Sequence, residues 1–260
     1  MNTLDFGFGA VEAHLWTLVF LMTRIGAALL AAPFFSAAAV PVQLRVGITG
    51  AIAILVAAWV PVTVPPALLS LDGLLVMAGE VLIGLALGFV LQLSFAAPVL
   101  AAEQIGGAMG MSIASTADPV NGASTPVLGQ YFTVMLTVIF LGLGAHLVWL
   151  RLLVDSYTVF PPGGAWFAPD QLERLLGFGS EMFVAGVAIA LPVTLVLLLV
   201  QVASGVLSRS APALNLFALG LPAGILAGLA ALIAVAPLYA DQFAVLSEDA
   251  VRQAGALLTR

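Results

Sequence analysis

Apolar stretches long enough to cross a bilayer follow one another along this chain, separated by short polar or proline-rich breaks. They lie near 15–35, 46–64, 74–102, 126–154, 181–207 and 213–237. Each is close to or longer than the roughly 20 residues a helix needs to span hydrocarbon. The third and fourth exceed a simple span and are expected to tilt, kink or continue beyond the lipid. The pattern predicts an all-α, polytopic, membrane-type protein of about six hydrophobic segments. Prolines interrupt the stretches at Pro33, Pro98, Pro192, Pro222 and Pro237. Such breaks survive where neighbouring protein satisfies the freed backbone groups.

The breaks differ in character. Pro61 to Asp72 is rich in proline, and Gly106 to Pro126 is mostly Gly, Ala, Ser, Thr and Met. Asp155 to Arg174 holds Pro161-Pro162-Gly163-Gly164 and then Asp170, Glu173 and Arg174, which places it in water. After Asp241 the chain turns polar, with Glu248, Asp249 and Arg252 on a short amphipathic helix. The run from Gly205 to Pro222 sets Arg209, Pro212 and Asn215 between two apolar stretches. Pro212 has no N–H and biases Ala211 away from helical angles, so a sharp break is expected there. Ser208 and Ser210 are candidate caps for the helix that follows. Arg209 belongs at the membrane boundary or paired inside protein, since a lone charge in hydrocarbon is costly.

Composition strengthens the membrane reading. The chain is 62% hydrophobic and 8% charged, against about 45–50% apolar and 25% charged in ordinary soluble domains. With no cysteine, disulfides and thiolate metal sites are excluded. The net charge is −6 and there is no lysine, so no basic patch is available for nucleic acid. Asp5 stands where a secretory n-region would be positive, so delivery through the first hydrophobic helix is expected rather than a cleaved leader.

Arg24, Glu80, Gln92, Glu103, Gln104, Gln130, His146 and Gln201 lie inside or at the edges of apolar segments. Intramembrane ionisable groups raise a functional hypothesis. A transporter would use Glu80, Glu103 and His146 as a proton relay. Alternatively the groups pair with each other or with partner subunits and hold an assembly in register. No two carboxylates in these segments share a helix face at i,i+3 or i,i+4 spacing, which favours pairing. Asp118-Pro119 reads as a turn start. Enzyme motifs fail: Val202-Ala203-Ser204-Gly205 lacks the glycine of a rhomboid-like Gly-x-Ser-Gly, and Tyr239 and Asp241 are not adjacent. His14 and His146 are too far apart in sequence for a zinc motif, and Gly7-Phe8-Gly9 lacks the later glycine of a dinucleotide loop. No catalytic residue, metal site or cofactor is expected. Gly84 and Gly88, and Gly220, Gly224 and Gly228, recur at i,i+4 and put small residues on one helix face. They allow close approach of a second helix, from this chain or from another subunit.

A resemblance runs over nearly the whole chain. Arg209, Pro212, Leu214, Asn215, Phe217, Gly220 and Pro222 match a C-terminal pattern of the form Gly-x-Leu-x-Arg-x-x-Pro-Gln-Leu-Asn-x-Phe-x-x-Gly-x-Pro, with Ala213 in place of its glutamine. Arg24, Ala32-Pro33-Phe34-Phe35, Val40-Pro41 and Arg45 follow the same family's N-terminal pattern. So, in order, do Gly79-Glu80 with Gly84 and Gly88, Glu103, Gly106, Met109-Gly110, Asp118-Pro119, Pro126-Val127-Leu128, Gly144-Ala145-His146, and Ser156-Tyr157 with Pro161. Together they resemble the FliR family, the membrane subunit of the flagellar type III export gate. The resemblance implies kinked helical hairpins. In such an assembly one FliR-type chain closes a ring with FliP and FliQ, much of it above the lipid. FlhB and FlhA are the further partners implied. The complex would conduct unfolded flagellar proteins from the inner (cytoplasmic) membrane of the flagellar basal body.

On that reading residues 1–260 form a single helical domain: N-terminal hairpins over 1–180, a C-terminal hairpin over 181–240 and a polar tail over 241–260. The 106–126 region becomes a pore plug. Gly106, Gly107 and Gly110 supply a pliable backbone, Met109 and Met111 flexible apolar filling, and Ser112, Ser115 and Thr116 tolerance of water. Deleting 106–116 is then expected to make the membrane leak. Arg209 and Asn215 are the expected assembly contacts, with Pro212 and Phe217 shaping the same hairpin tip and Arg24, Glu80, Glu103 and His146 as further assembly or structural groups. The alternatives are the homologous subunit of a virulence type III system and a proton-coupled secondary transporter. A transporter should show pseudo-symmetry between its halves, and none is evident here.

Overall fold

The computed structural model describes residues 10–37, 40–65, 68–111, 127–164, 169–210 and 216–259. Among them every regular element is helical. The order is α1 (Ala10–Ala31), α2 (Pro33–Ser36), α3 (Val42–Trp59), α4 (Leu71–Ala108), α5 (Val127–Gly142), α6 (Ala145–Val159), α7 (Pro169–Ser210) and α8 (Leu216–Leu257). Five of these helices are long and apolar enough to cross a membrane, or six if α5 and α6 count as one broken span.

The helices begin and end for local reasons. Pro33 starts α2 in the first-turn position where its missing N–H is harmless. Ser70 caps α4, its Oγ accepting the Gly73 N–H at 3.1 Å, and Asp72 adds a carboxylate to that first turn. The expected fourth segment, 126–154, is two helices. Gly144 takes φ +70°, a left-handed conformation that a side chain would strain, and α6 starts anew behind it.

The first two segments end early, at Ala31 and Trp59, but at several other boundaries helices run further than the sequence suggests. Pro98, Pro192, Pro222 and Pro237 lie within continuous helices rather than at breaks. The expected 155–174 loop is mostly helix, leaving Phe160 to Gly164 as the described part of the connection. The polar tail is no separate helix but the end of α8. In an apolar setting an unpaired peptide group is costly, so helix persists through a single proline or a polar patch. Ser210 stays in the last turn of α7, donating to Val206 O at 3.3 Å, instead of capping α8.

The described residues fall into two compact units. The first takes 1–93, 144–179 and 248–260. Its core forms where α1 offers Phe20, Leu21, Ile25, Ala28 and Leu29 on one face, and α6 offers Trp149, Leu153 and Tyr157 at helical spacing. Gly84 and Gly88 of α4 lie against α1. A Cβ on Gly84 would collide with Arg24 O, and one on Gly88 would sit 2.5 Å from both Ala28 O and Ala31 Cβ. The α8 end is tied down by α7: Gln171 Nε2 donates to Leu257 O at 3.1 Å and Arg174 Nη1 to Ala256 O at 3.1 Å. Both carbonyls belong to the last turn, where helix offers no partner.

The second unit takes 94–143 and 180–247. Its core is aromatic. Phe132 meets Tyr239 and Phe243 edge-on at 5.1 and 5.6 Å between ring centroids, and Phe95 meets Phe140 at 5.7 Å. These are favoured arrangements for paired quadrupoles. Gly186 lies against Ala97 and Leu100, with its Cβ position 3.1 Å from Ala97 O.

Candidate functional site

Among the described residues, two networks of polar contacts stand out besides the Gln171 and Arg174 bonds to the end of α8. The first lies inside the first unit. Arg24 is fully buried and Glu80 is 2% exposed. Arg24 donates from Nε to Glu80 Oε2 and from Nη2 to Glu80 Oε1, both at 2.8 Å, a bidentate pair between α1 and α4. Nη2 also donates to Phe160 O at 2.7 Å and Nη1 to Ser156 Oγ at 3.1 Å. The Arg24 Cζ lies 4.1 Å from the centroid of the Tyr157 ring, and the Tyr157 hydroxyl donates to Leu21 O at 2.8 Å. Phe160 lies just past the end of α6, so the guanidinium joins three helices and also serves a carbonyl that the helix leaves open. Nearby in sequence, Trp149 Nε1 donates to Leu87 O at 3.1 Å. A buried pair with this many partners fixes the register of α1, α4 and α6. It does not resemble a proton relay, which needs a carboxyl free to exchange its proton.

The second place is the end of α4 in the second unit. A helix leaves its last carbonyls without intrahelical donors. Here each has one. Ile105 O accepts from Met109 N at 2.9 Å, Gly106 O from Met111 N at 3.0 Å, and Gly107 O from Gly110 N at 3.0 Å. Gly110 has φ +83°. The last two bonds with that left-handed glycine make a Schellman cap. The remaining carbonyl, Ala108 O, accepts from Gln201 Nε2 of α7 at 2.8 Å. Met109 is 2% exposed and lies over α8. A Cβ on Gly228 would stand 2.6 Å from Met109 Cγ, and one on Gly224 would stand 3.3 Å from Met109 O.

The region expected to be a pliable loop from Gly106 is thus helix through Ala108 and a closed cap through Met111. Gly106 and Gly107 belong to the last helical turn, and Gly110 serves a fixed αL position. Ser112, Ser115 and Thr116 lie outside the described residues, as do Pro212 and Asn215. Phe217 falls in the first turn of α8. Arg209 is exposed in the last turn of α7 and Glu103 is exposed on α4. His146, in the first turn of α6, is half-buried, with a buried Nδ1 that has no hydrogen-bond partner. Gly220 has no heavy atom within 4 Å of its Cβ position. Of the polar residues singled out in the sequence, the structure brings Arg24 and Glu80 together; Glu103 and Arg209 face outward. No group of three or more His, Asp or Glu is placed to hold a metal among the described residues.

Ser156 and Phe160, the latter through its carbonyl, carry no sequence signal of their roles as partners of Arg24. The polar exception in an apolar run was a usable signal for Gln201, but its partner is a backbone atom and leaves no mark in sequence.

The family model described as "Bacterial export proteins, family 1" matches residues 15–250. The flagellar biosynthetic protein FliR of Escherichia coli K12 is 34% identical over 230 residues, covering 88% of this chain and 86% of that one. FliR of Pectobacterium carotovorum is 32% identical over 228 residues, with 88% and 85% covered. FliR of Bacillus subtilis 168 is 31% identical over 209 residues, with 79% of each chain covered. With a match across almost its whole length and relatives of this identity in distant bacteria, the chain belongs to the FliR family of bacterial export proteins.

Proposed function

We propose that this chain is the FliR-type subunit of a flagellar export gate: a non-enzymatic membrane component that assembles with FliP and FliQ, contacts FlhB and FlhA, and helps form the conduit for unfolded flagellar proteins. Its place is the inner membrane, within the basal body. The observation that carries the subunit reading is the bare length of α7. Large apolar side chains are exposed along it from Leu172 to Leu207. At 1.5 Å per residue that is about 52 Å of helix, against a hydrocarbon core of about 30 Å. Lipid alone does not cover such a stripe, and other protein chains would.

The flagellar names of the relatives favour a flagellar over a virulence system. A proton-coupled transporter is disfavoured by the engagement of Glu80 with Arg24. The plug reading of the 106–126 region is retained for its part beyond the α4 cap, where Ser112, Ser115 and Thr116 lie.

The test is a deletion that starts past the cap. Removing 112–120 from the assembled complex is expected to let small ions leak across the membrane while the complex is recovered in normal amount. An assembled complex that keeps the membrane tight overturns the plug reading.

A further inference from the structure

We propose that Ile105–Met111 is a fixed anchor, and that Gln201, Met109 and Gly228 are positioning residues that hold the point from which the following segment departs. The inference rests on the plug reading above and delimits it: Gly106 to Met111 stay in place. The sequence suggests the reverse, since Gly106, Gly107 and Gly110 with two methionines look like the softest part of the chain.

The geometry is that of a closed structure. Every carbonyl of the last α4 turn has a donor, one in helical register from Met109 N, two from the Schellman cap and one from another helix. Gly110 takes φ +83°, the conformation that terminates a helix at a defined residue. Met109 fills a seat on α8 that exists because residue 228 has no side chain. Each of the three helices of this unit that meet there contributes a different restraint: α4 its cap, α7 the Gln201 amide and α8 the glycine seat. To swing from Gly106, the chain would have to unseat a buried side chain and strip Ala108 O of its donor.

The native chain has no cysteine, so once the chain is separated from its partners on a denaturing gel a pair of cysteines can be read without background. The Cβ position at 228 is 2.6 Å from Met109 Cγ. Adding one carbon–carbon bond puts the two Cβ atoms no more than about 4.1 Å apart, within the range of disulfides. Met109→Cys with Gly228→Cys, in the full complex in membranes, is oxidised with copper–phenanthroline and scored by loss of maleimide-reactive thiol. The expected result is complete crosslinking, with flagellar subunit export in the oxidised form equal to that of the same variant kept reduced. Export that is lost on oxidation and restored by reductant overturns the anchor, as does failure to crosslink in a recovered complex.

A second variant tests Gln201 by its chemistry. Gln201→Glu keeps the shape but presents an acceptor to Ala108 O; the expected result is a raised resting ion leak with normal complex recovery. Gln201→Lys, which restores a donor, is expected to return the leak to the unsubstituted level. A tight membrane in Gln201→Glu overturns the positioning role. The plug reading fails separately, on the 112–120 deletion, whatever the crosslink shows.

Discussion

Glu80→Gln removes one charge and leaves the rest of the Arg24 cluster in place. The carboxylate takes two of the guanidinium hydrogen bonds, both at 2.8 Å, at a site where Arg24 is fully buried and Glu80 is 2% exposed. Glutamine offers one acceptor and one amide donor, and the donor faces another donor. Arg24 keeps Phe160 O and Ser156 Oγ but becomes a buried cation without a counter-charge. Breaking a buried pair in this way costs about 3–5 kcal/mol, whereas losing an exposed ion pair costs about 0–1 kcal/mol. The size of the effect therefore distinguishes a buried network from an incidental contact. At about 2–4 °C per kcal/mol for a chain of this size, melting should fall by roughly 6–20 °C. The assay is thermal unfolding of the detergent-solubilised chain, repeated for Arg24→Gln and for the double variant. Arg24→Gln should cost a comparable amount, because Glu80 is then the uncompensated charge. The double variant should cost less than the sum of the two, with a coupling of about 2–3 kcal/mol. A Glu80→Gln loss under about 1 kcal/mol, or strict additivity, refutes the buried pair.

Two further predictions follow from other contacts. Gly88→Val places a branched side chain where Ala28 O and Ala31 Cβ are 2.5 Å from the Cβ position, so α1 and α4 must separate; expect a loss of at least about 1–3 kcal/mol by the same melting assay, and an unchanged melting point rules out the close approach. Arg209→Ala removes an exposed cation at the end of α7; expect weaker co-purification with FliP and FliQ and an unchanged melting point of the isolated chain. Unaltered recovery of the complex leaves Arg209 an ordinary surface residue.

Much of the fold was readable from hydropathy because apolar runs of spanning length have few alternatives to helix. The boundaries were less readable. Pro98, Pro192, Pro222 and Pro237 look like breaks in sequence, yet helix continues through each, since an apolar setting offers the backbone nothing better. Arg24 and Glu80 stood out as charges in apolar runs, but their mutual pairing rests on α1 and α4 meeting through Gly84 and Gly88, a long-range fact no local spacing encodes. Ser156 and the Phe160 carbonyl were invisible as partners for the same reason. At the α4 end the glycines are visible in the sequence but their use is not. Gly110 sets an αL cap, while the restraint on Ala108 O comes from Gln201, distant in sequence.

The central claim, that this chain is one subunit of a multi-chain export gate, is tested most directly by native mass spectrometry of the tagged chain, extracted in mild detergent after co-expression with its genomic neighbours. The account predicts one copy of this chain bound to several copies each of FliP-like and FliQ-like subunits. A stable monomer or homodimer that leaves those subunits behind contradicts it.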